Sequence, residues 1–141
     1  MPAPKILVLS GSTRIGSHNV RLAALAVKEL TMLDVDVTRI SLADYQLPIY
    51  DADDDARSGQ PDNALKLKQM IAAHHGVFIA SPDYSASVPP LLKNAIDWVS
   101  RVRERGDPTY AAFKGRVFAI ASASPEANGG LPGLMALRQI L

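Results

Sequence analysis

No cysteine occurs among the 141 residues, which removes disulfides, thiolate catalysis and Cys-ligated zinc. Neither sign of charge is in excess: 15 basic against 14 acidic residues leave a formal +1. That balance, without a basic stripe, argues against a nucleic-acid binder that works by neutralising phosphates. Long apolar runs are missing too. Met1-Pro2-Ala3-Pro4-Lys5 leads into a run far too short for a signal peptide or a membrane span. A soluble cytoplasmic protein is therefore expected, with neither nucleic acid nor membrane as partner. Metal-ligand spacing is also lacking: His74 and His75 stand before Gly76 with no suitably placed carboxylate or third imidazole. They read as helix-end residues favoured by the dipole. There are no repeats and no dividing linker. With 48% hydrophobic and 21% charged residues, the chain reads as one globular domain over 1–141.

What is present is an alternation. Apolar runs at 5–10, 35–40, 76–81 and 116–122 read as strands. Between the first two, Val20, Ala23, Ala24, Val27 and Leu30 recur at helical spacing, capped by Ser17 or Asn19. Leu65, Leu67, Met70, Ile71 and Ala72 suggest a second helix; Leu92, Ala95, Ile96, Val99 and Val102 a third; Leu131, Leu134, Met135, Leu137, Arg138 and Leu141 a fourth. Strands alternating with helices imply an α/β fold, a parallel sheet covered on both faces. In such sheets ligands sit beyond the carboxyl ends of the strands. The loops 10–19, 81–90 and 122–130 follow the first, third and fourth strands, so all three are expected at one edge of the sheet.

The first loop, Ser10-Gly11-Ser12-Thr13-Arg14-Ile15-Gly16-Ser17-His18-Asn19, carries four hydroxyls, an arginine and an asparagine before a helix opens. Glycines let backbone approach closely, free N–H groups point outward, and the helix dipole favours negative charge. Gly11 and Gly16 have P-loop spacing, but Ser17-His18 stand where that motif needs Lys and then Ser or Thr. Thr13 replaces the second glycine of the dinucleotide fingerprint. What remains suits one terminal monophosphate, the group that flavin mononucleotide carries.

Ser81-Pro82-Asp83-Tyr84-Ser85-Ala86-Ser87-Val88-Pro89-Pro90 offers an aromatic between stiffening prolines, suited to a flat heteroaromatic ring. Packing of Tyr84 beneath its own loop is the alternative. In Ser122-Ala123-Ser124-Pro125-Glu126-Ala127-Asn128-Gly129-Gly130, the paired glycines allow close approach on the opposite side of such a ring.

These motifs in this order resemble the NADPH-dependent FMN reductases. The resemblance rests on Gly11-Ser12-Thr13-Arg14-Ile15-Gly16-Ser17-His18-Asn19, residues 82–98 and residues 122–130, and it runs over essentially the whole chain. It implies a flavodoxin-like, doubly wound parallel sheet of order 2-1-3-4-5 and a noncovalently bound FMN. Ser12, Arg14, Ser17 and Asn19 would hold the phosphate, with Ser10, Thr13 and His18 beside them. Pro82, Asp83, Tyr84 and Ser85 would flank the isoalloxazine, helped by Ser122, Ser124, Gly129 and Gly130. The implied reaction moves hydride from NADPH or NADH to FMN and electrons on to a small-molecule acceptor such as a quinone, azo dye, metal or flavin. The chemistry would be carried by the flavin N5, so no catalytic side chain is expected. A homodimer or homotetramer is implied as well. A flavodoxin-type electron carrier is the alternative, disfavoured by the +1 charge.

Two departures stand out. The family usually reads Pro-Glu-Tyr-Asn where this chain has Pro82-Asp83-Tyr84-Ser85. Family members also continue through a fifth strand and a last helix, whereas Leu141 falls inside an amphipathic pattern. A C-terminally truncated portion is expected, with coverage by another subunit as the alternative. The acidic residues Asp51, Asp53, Asp54 and Asp55 read as a mobile, solvated loop. Trp98 reads as core or dimer face.

Overall fold

Each of the four apolar runs becomes a strand in a computed structural model that describes residues 1–141. They are β1 (Lys5–Ser10), β2 (Asp36–Arg39), β3 (Gly76–Ala80) and β4 (Val117–Ala121). All pair in parallel, in the order β2-β1-β3-β4. Register brings Val8 opposite Phe78 and Phe78 opposite Ala119, so one row of side chains crosses three strands. Parallel neighbours need crossovers, and the helices supply them. These are α1 (His18–Leu30), α2 (Ala52–Ser58), α3 (Asp62–Ala72), α4 (Pro90–Arg101) and α5 (Leu131–Ile140), with a 3-10 turn at Leu42–Asp44.

Alternation along the strands divides the core. Leu7, Leu9, Val77 and Ile79 point to one face and pack with Leu67 and Ile71 of α3, Leu92 and Val99 of α4, and Leu137 of α5. Val8 and Ala80 point to the other, where Ala23 of α1 meets them. Each fully buried Leu or Ile here contributes roughly 1.5–3 kcal/mol by leaving water. On β4, Phe118 and Ile120 join the larger core, while Val117 is 74% exposed on the opposite face. The sheet order is therefore that of a flavodoxin-like fold through its fourth strand.

Polar anchors fix what the core does not. Trp98 belongs to the interior: it is 2% exposed, donates Nε1–H to the Pro48 carbonyl at 2.7 Å, and meets Tyr50 edge-on at 4.9 Å. Arg116, read from sequence as the start of a strand, reaches back instead. Its guanidinium donates to the carbonyls of Ile71, Ala72, Ala111, Ala112 and Lys114, tying the end of α3 to the segment before β4. The acidic run corrects the expectation of a mobile loop. Asp51 caps α2 by accepting the N–H groups of Asp53 and Asp54, and the following carboxylates sit at the positive end of the helix dipole. None of the α2 residues is buried, so the solvated part of that reading stands. Lys93 pairs with Asp97 along α4, but Arg101 donates to the Asp97 carbonyl rather than its carboxylate and lies over the Tyr50 ring. No helix is long and apolar enough to cross a membrane.

Candidate cofactor-binding site

Since all strands run one way, the loops after β1, β3 and β4 leave the same edge of the sheet, as anticipated. The first is shaped by its own hydroxyls. Ser10 Oγ accepts the Ser12 N–H, Ser12 Oγ accepts the Arg14 N–H, and Ser17 caps α1 by accepting the N–H groups of Asn19 and Val20. Ser17, not Asn19, is the cap. Each hydroxyl thus uses its oxygen toward the backbone and keeps its own O–H free to donate. The N–H groups of Thr13, Ile15, Gly16 and His18 have no partner within the chain, and those four residues are exposed, as is Arg14, which forms no ion pair. These free N–H groups and Arg14 lie at and just before the first turn of a 13-residue helix.

Asn19 is turned elsewhere. Its Nδ2 donates to the Ala123 carbonyl at 3.0 Å while its Oδ1 accepts the Ala123 N–H at 2.9 Å. The side chain, 2% exposed, therefore fastens the first loop to the third.

After β3, Tyr84 and Ser87 form a tight hairpin turn, with N–H to carbonyl bonds in both directions at 3.1 and 3.0 Å. Tyr84 is 46% exposed, so it does not pack beneath its loop. Pro82 and Asp83 are half-buried and Ser85 exposed. Asp83 uses both carboxylate oxygens on backbone: Oδ1 accepts from Ala86 and Oδ2 from Gly133 of α5. In the third loop, Ser124 Oγ accepts the Glu126 N–H, and Gly129 and Gly130 both have positive φ. No side chain fits at 130, because its Cβ would overlap Ser122 Oγ. That Ser122 hydroxyl is buried with no partner.

Sequence reasoning chose these three loops but missed two of their connections. The side chains of Asn19 and Asp83, expected at the phosphate and the ring, each bind backbone of a different loop or helix: Asn19 at Ala123 and Asp83 at Gly133. Gly133, buried at the third position of α5, was not singled out; its place directly after Pro132 in a first turn was the available signal.

The sheet order and the three loops gathered at its carboxyl edge define the class by fold: a flavodoxin-like α/β protein whose ligand site is expected at that edge. The more particular assignment comes from comparison with known proteins. The NADPH-dependent FMN reductase family matches residues 4–141, and the chain belongs to it. It is 35% identical to the quinone reductase of Escherichia coli K12 over 97% of this chain and 69% of that protein. It is 36% identical to the NAD(P)H-dependent FMN reductase of Pseudomonas aeruginosa, again over 97% of this chain and 69% of that protein. Among solved structures, the flavoenzyme NAD(P)H:acceptor oxidoreductase FerB of Paracoccus denitrificans superposes with a TM-score of 0.77 at 28% identity. That match covers 97% of this chain and 70% of FerB.

Proposed function

We propose that this chain binds FMN in the three-loop site and works as an NAD(P)H-dependent reductase of small electron acceptors, quinones first among them. The observation that carries this reading is the set of donors in the first loop. The backbone N–H groups of Thr13, Ile15, Gly16 and His18 have no partner and their residues are exposed beside the unpaired Arg14, while the buried Ser10, Ser12 and Ser17 accept from backbone and keep their O–H groups free to donate. A dianionic phosphate is acceptor-only and complements such a surface. Ser10, Ser12, Ser17 and the backbone of Thr13, Ile15, Gly16 and His18 would hold the phosphate, with Arg14 as its counter-charge. Tyr84 and the turn around it would flank one side of the ring, and residues 122–130 the other. Asn19 would act through Ala123, keeping the two halves of the pocket together. FMN, when bound, accepts hydride from a nicotinamide and delivers electrons to a second substrate; the protein contributes binding, orientation and electrostatics. The quinone reductases at 35% identity support that choice of acceptor. Assembly as a homodimer or homotetramer is part of the same proposal.

The test is direct. Purified protein mixed with FMN and passed through a desalting column should retain flavin absorbance, and should then consume NADPH faster when a benzoquinone is added. A colourless protein that retains no FMN would overturn the reading. Retained FMN with negligible NADPH consumption would point to an electron carrier instead. Light scattering on the same sample reports the oligomer.

A further inference from the structure

The turn Tyr84-Ser85-Ala86-Ser87 has an unusual backbone for its sequence. Ser85 has φ +53° and Ala86 φ +61°, so both central residues are left-handed and neither is glycine. Turns of this hand match the twist of the flanking chain but favour Asn-Gly or Gly-Gly at the centre. Such a conformation persists only where the surroundings hold it. Two backbone bonds between Tyr84 and Ser87 close the turn, and the one side-chain contact that holds its centre is local: Asp83 Oδ1 accepts the Ala86 N–H at 2.9 Å.

The second oxygen of the same carboxylate reaches 50 residues along the chain. Asp83 Oδ2 accepts the Gly133 N–H at 2.7 Å. This completes the first turn of α5, which has no capping side chain of its own because its N-cap is Gly130. Leu131 donates to the Asn128 carbonyl, Pro132 has no N–H, and Gly133 would be left over without Asp83. The approach is close enough that a Cβ at 133 would stand 3.1 Å from Asp83 Cα, Cβ and Oδ2. The carboxylate also lies at the positive end of the α5 dipole.

The geometry points to Asp83 as a positioning residue that clamps the strained Tyr84 turn to the first turn of α5, so that the two walls of the ring slot move as one body. This rests on the flavin reading above, since it is that reading which makes the Tyr84 turn and the 122–130 loop, which runs directly into α5, walls of one slot. An acceptor-only group with both oxygens committed to backbone sets the spacing between the walls. It acts on the ring end of the ligand and leaves the phosphate end to the first loop.

Two measurements test it. In the chain without cofactor, Asp83→Ala should raise amide exchange at Ala86 and at Gly133 together by about tenfold or more. The amides of Gly11 and Ser81, bonded to the carbonyls of Ala80 and Ala121, should keep their rates. Asp83→Asn, which retains one acceptor and presents a donor in place of the other, should keep protection at only one of the two. In fluorescence titrations, Asp83→Ala should weaken FMN and riboflavin by the same factor, about tenfold, leaving their affinity ratio unchanged. Gly133→Ala keeps the carboxylate but inserts a methyl group against it, and should weaken both flavins in equal proportion even if Asp83→Ala folds poorly. Unchanged exchange at either amide in Asp83→Ala overturns the clamp. Wild-type flavin affinity in both Asp83→Ala and Gly133→Ala, or a loss confined to FMN, overturns the positioning role. A wild-type chain that binds neither flavin overturns the flavin reading itself, and the exchange result then stands apart as a purely structural link.

Discussion

Asn19 and Ala123 form a closed pair of hydrogen bonds, side-chain amide against backbone amide, at 3.0 and 2.9 Å across 104 residues of sequence. The pair ties the start of α1 to the loop after β4. Asn19→Ala would leave the Ala123 N–H and carbonyl without partners in a half-buried place. Leaving buried polar groups unsatisfied costs roughly 1–3 kcal/mol each, so a loss near the lower end, about 2 kcal/mol, is expected in urea unfolding. Asn19→Asp should be at least as harmful, because it sets a carboxylate oxygen against the Ala123 carbonyl. Unfolding midpoints equal to wild type would show that the pair contributes nothing to stability.

Arg14 is exposed and unpaired beside the hydroxyls of the first loop. A charge-assisted bond to phosphate is worth about 1.5–3 kcal/mol, reduced by exposure to solvent. Arg14→Ala is therefore expected to weaken FMN about tenfold and to leave riboflavin, which has no phosphate, unaffected. The unfolding midpoint of the cofactor-free chain should not move. Equal losses for the two flavins would take Arg14 out of the phosphate site.

The left-handed turn at Ser85 and Ala86 is a stabilisation target. Alanine in that region costs about 1–2 kcal/mol. Glycine removes the cost but gives back roughly 0.5–1 kcal/mol through a more flexible unfolded chain. Ala86→Gly should gain about 0.5–1 kcal/mol net, and Ser85→Asn, which tolerates the same dihedrals, should add to it. Thermal unfolding of the single and double variants measures this, and a lower melting temperature for Ala86→Gly would contradict the strain.

The strands and the site loops were legible because they depend on local pattern. The run 5–10 is β1, and parallel pairing then forces the loops after β1, β3 and β4 to one edge. Side-chain roles were less legible wherever the partner was a backbone group. Ala123, Ile71 and Ala72 carry no chemical signature in their side chains, so nothing in the sequence pairs them with Asn19 or Arg116. The acidic run misled for a different reason. Residues 51–55 look like a charged loop, yet an aspartate at a helix N-terminus caps and compensates the dipole, and the same composition starts α2.

Lys68 links α3 to the segment after α4, toward the amino ends of the strands and away from the three loops. Its side chain is only 6% exposed, and its ammonium donates to Glu104 and, at 2.7 Å, to Asp107. Burial pulls the Lys68 pKa down, but hydrogen bonds to Asp107 and then Glu104 outweigh it, so the net shift is upward from 10.5. Its contribution is complete below 10.5 and is lost only as pH rises through the raised value. Glu104 and Asp107 are shifted down from 4.5 and 3.8, in each case first by the bond from Lys68. Their contribution is complete above those values and fades as pH falls through the lowered ones. Lys68→Met removes the cation and keeps the apolar stem, so the stability gap between wild type and variant should be steady from about pH 6 to 9. The gap should begin to narrow below pH 3.8 and close or reverse once pH has fallen through the lowered values, because protonated partners leave wild-type Lys68 a buried charge without compensation. Urea midpoints across that range measure the gap, and one that stays constant into the acid limb would show that the triad is not coupled through charge.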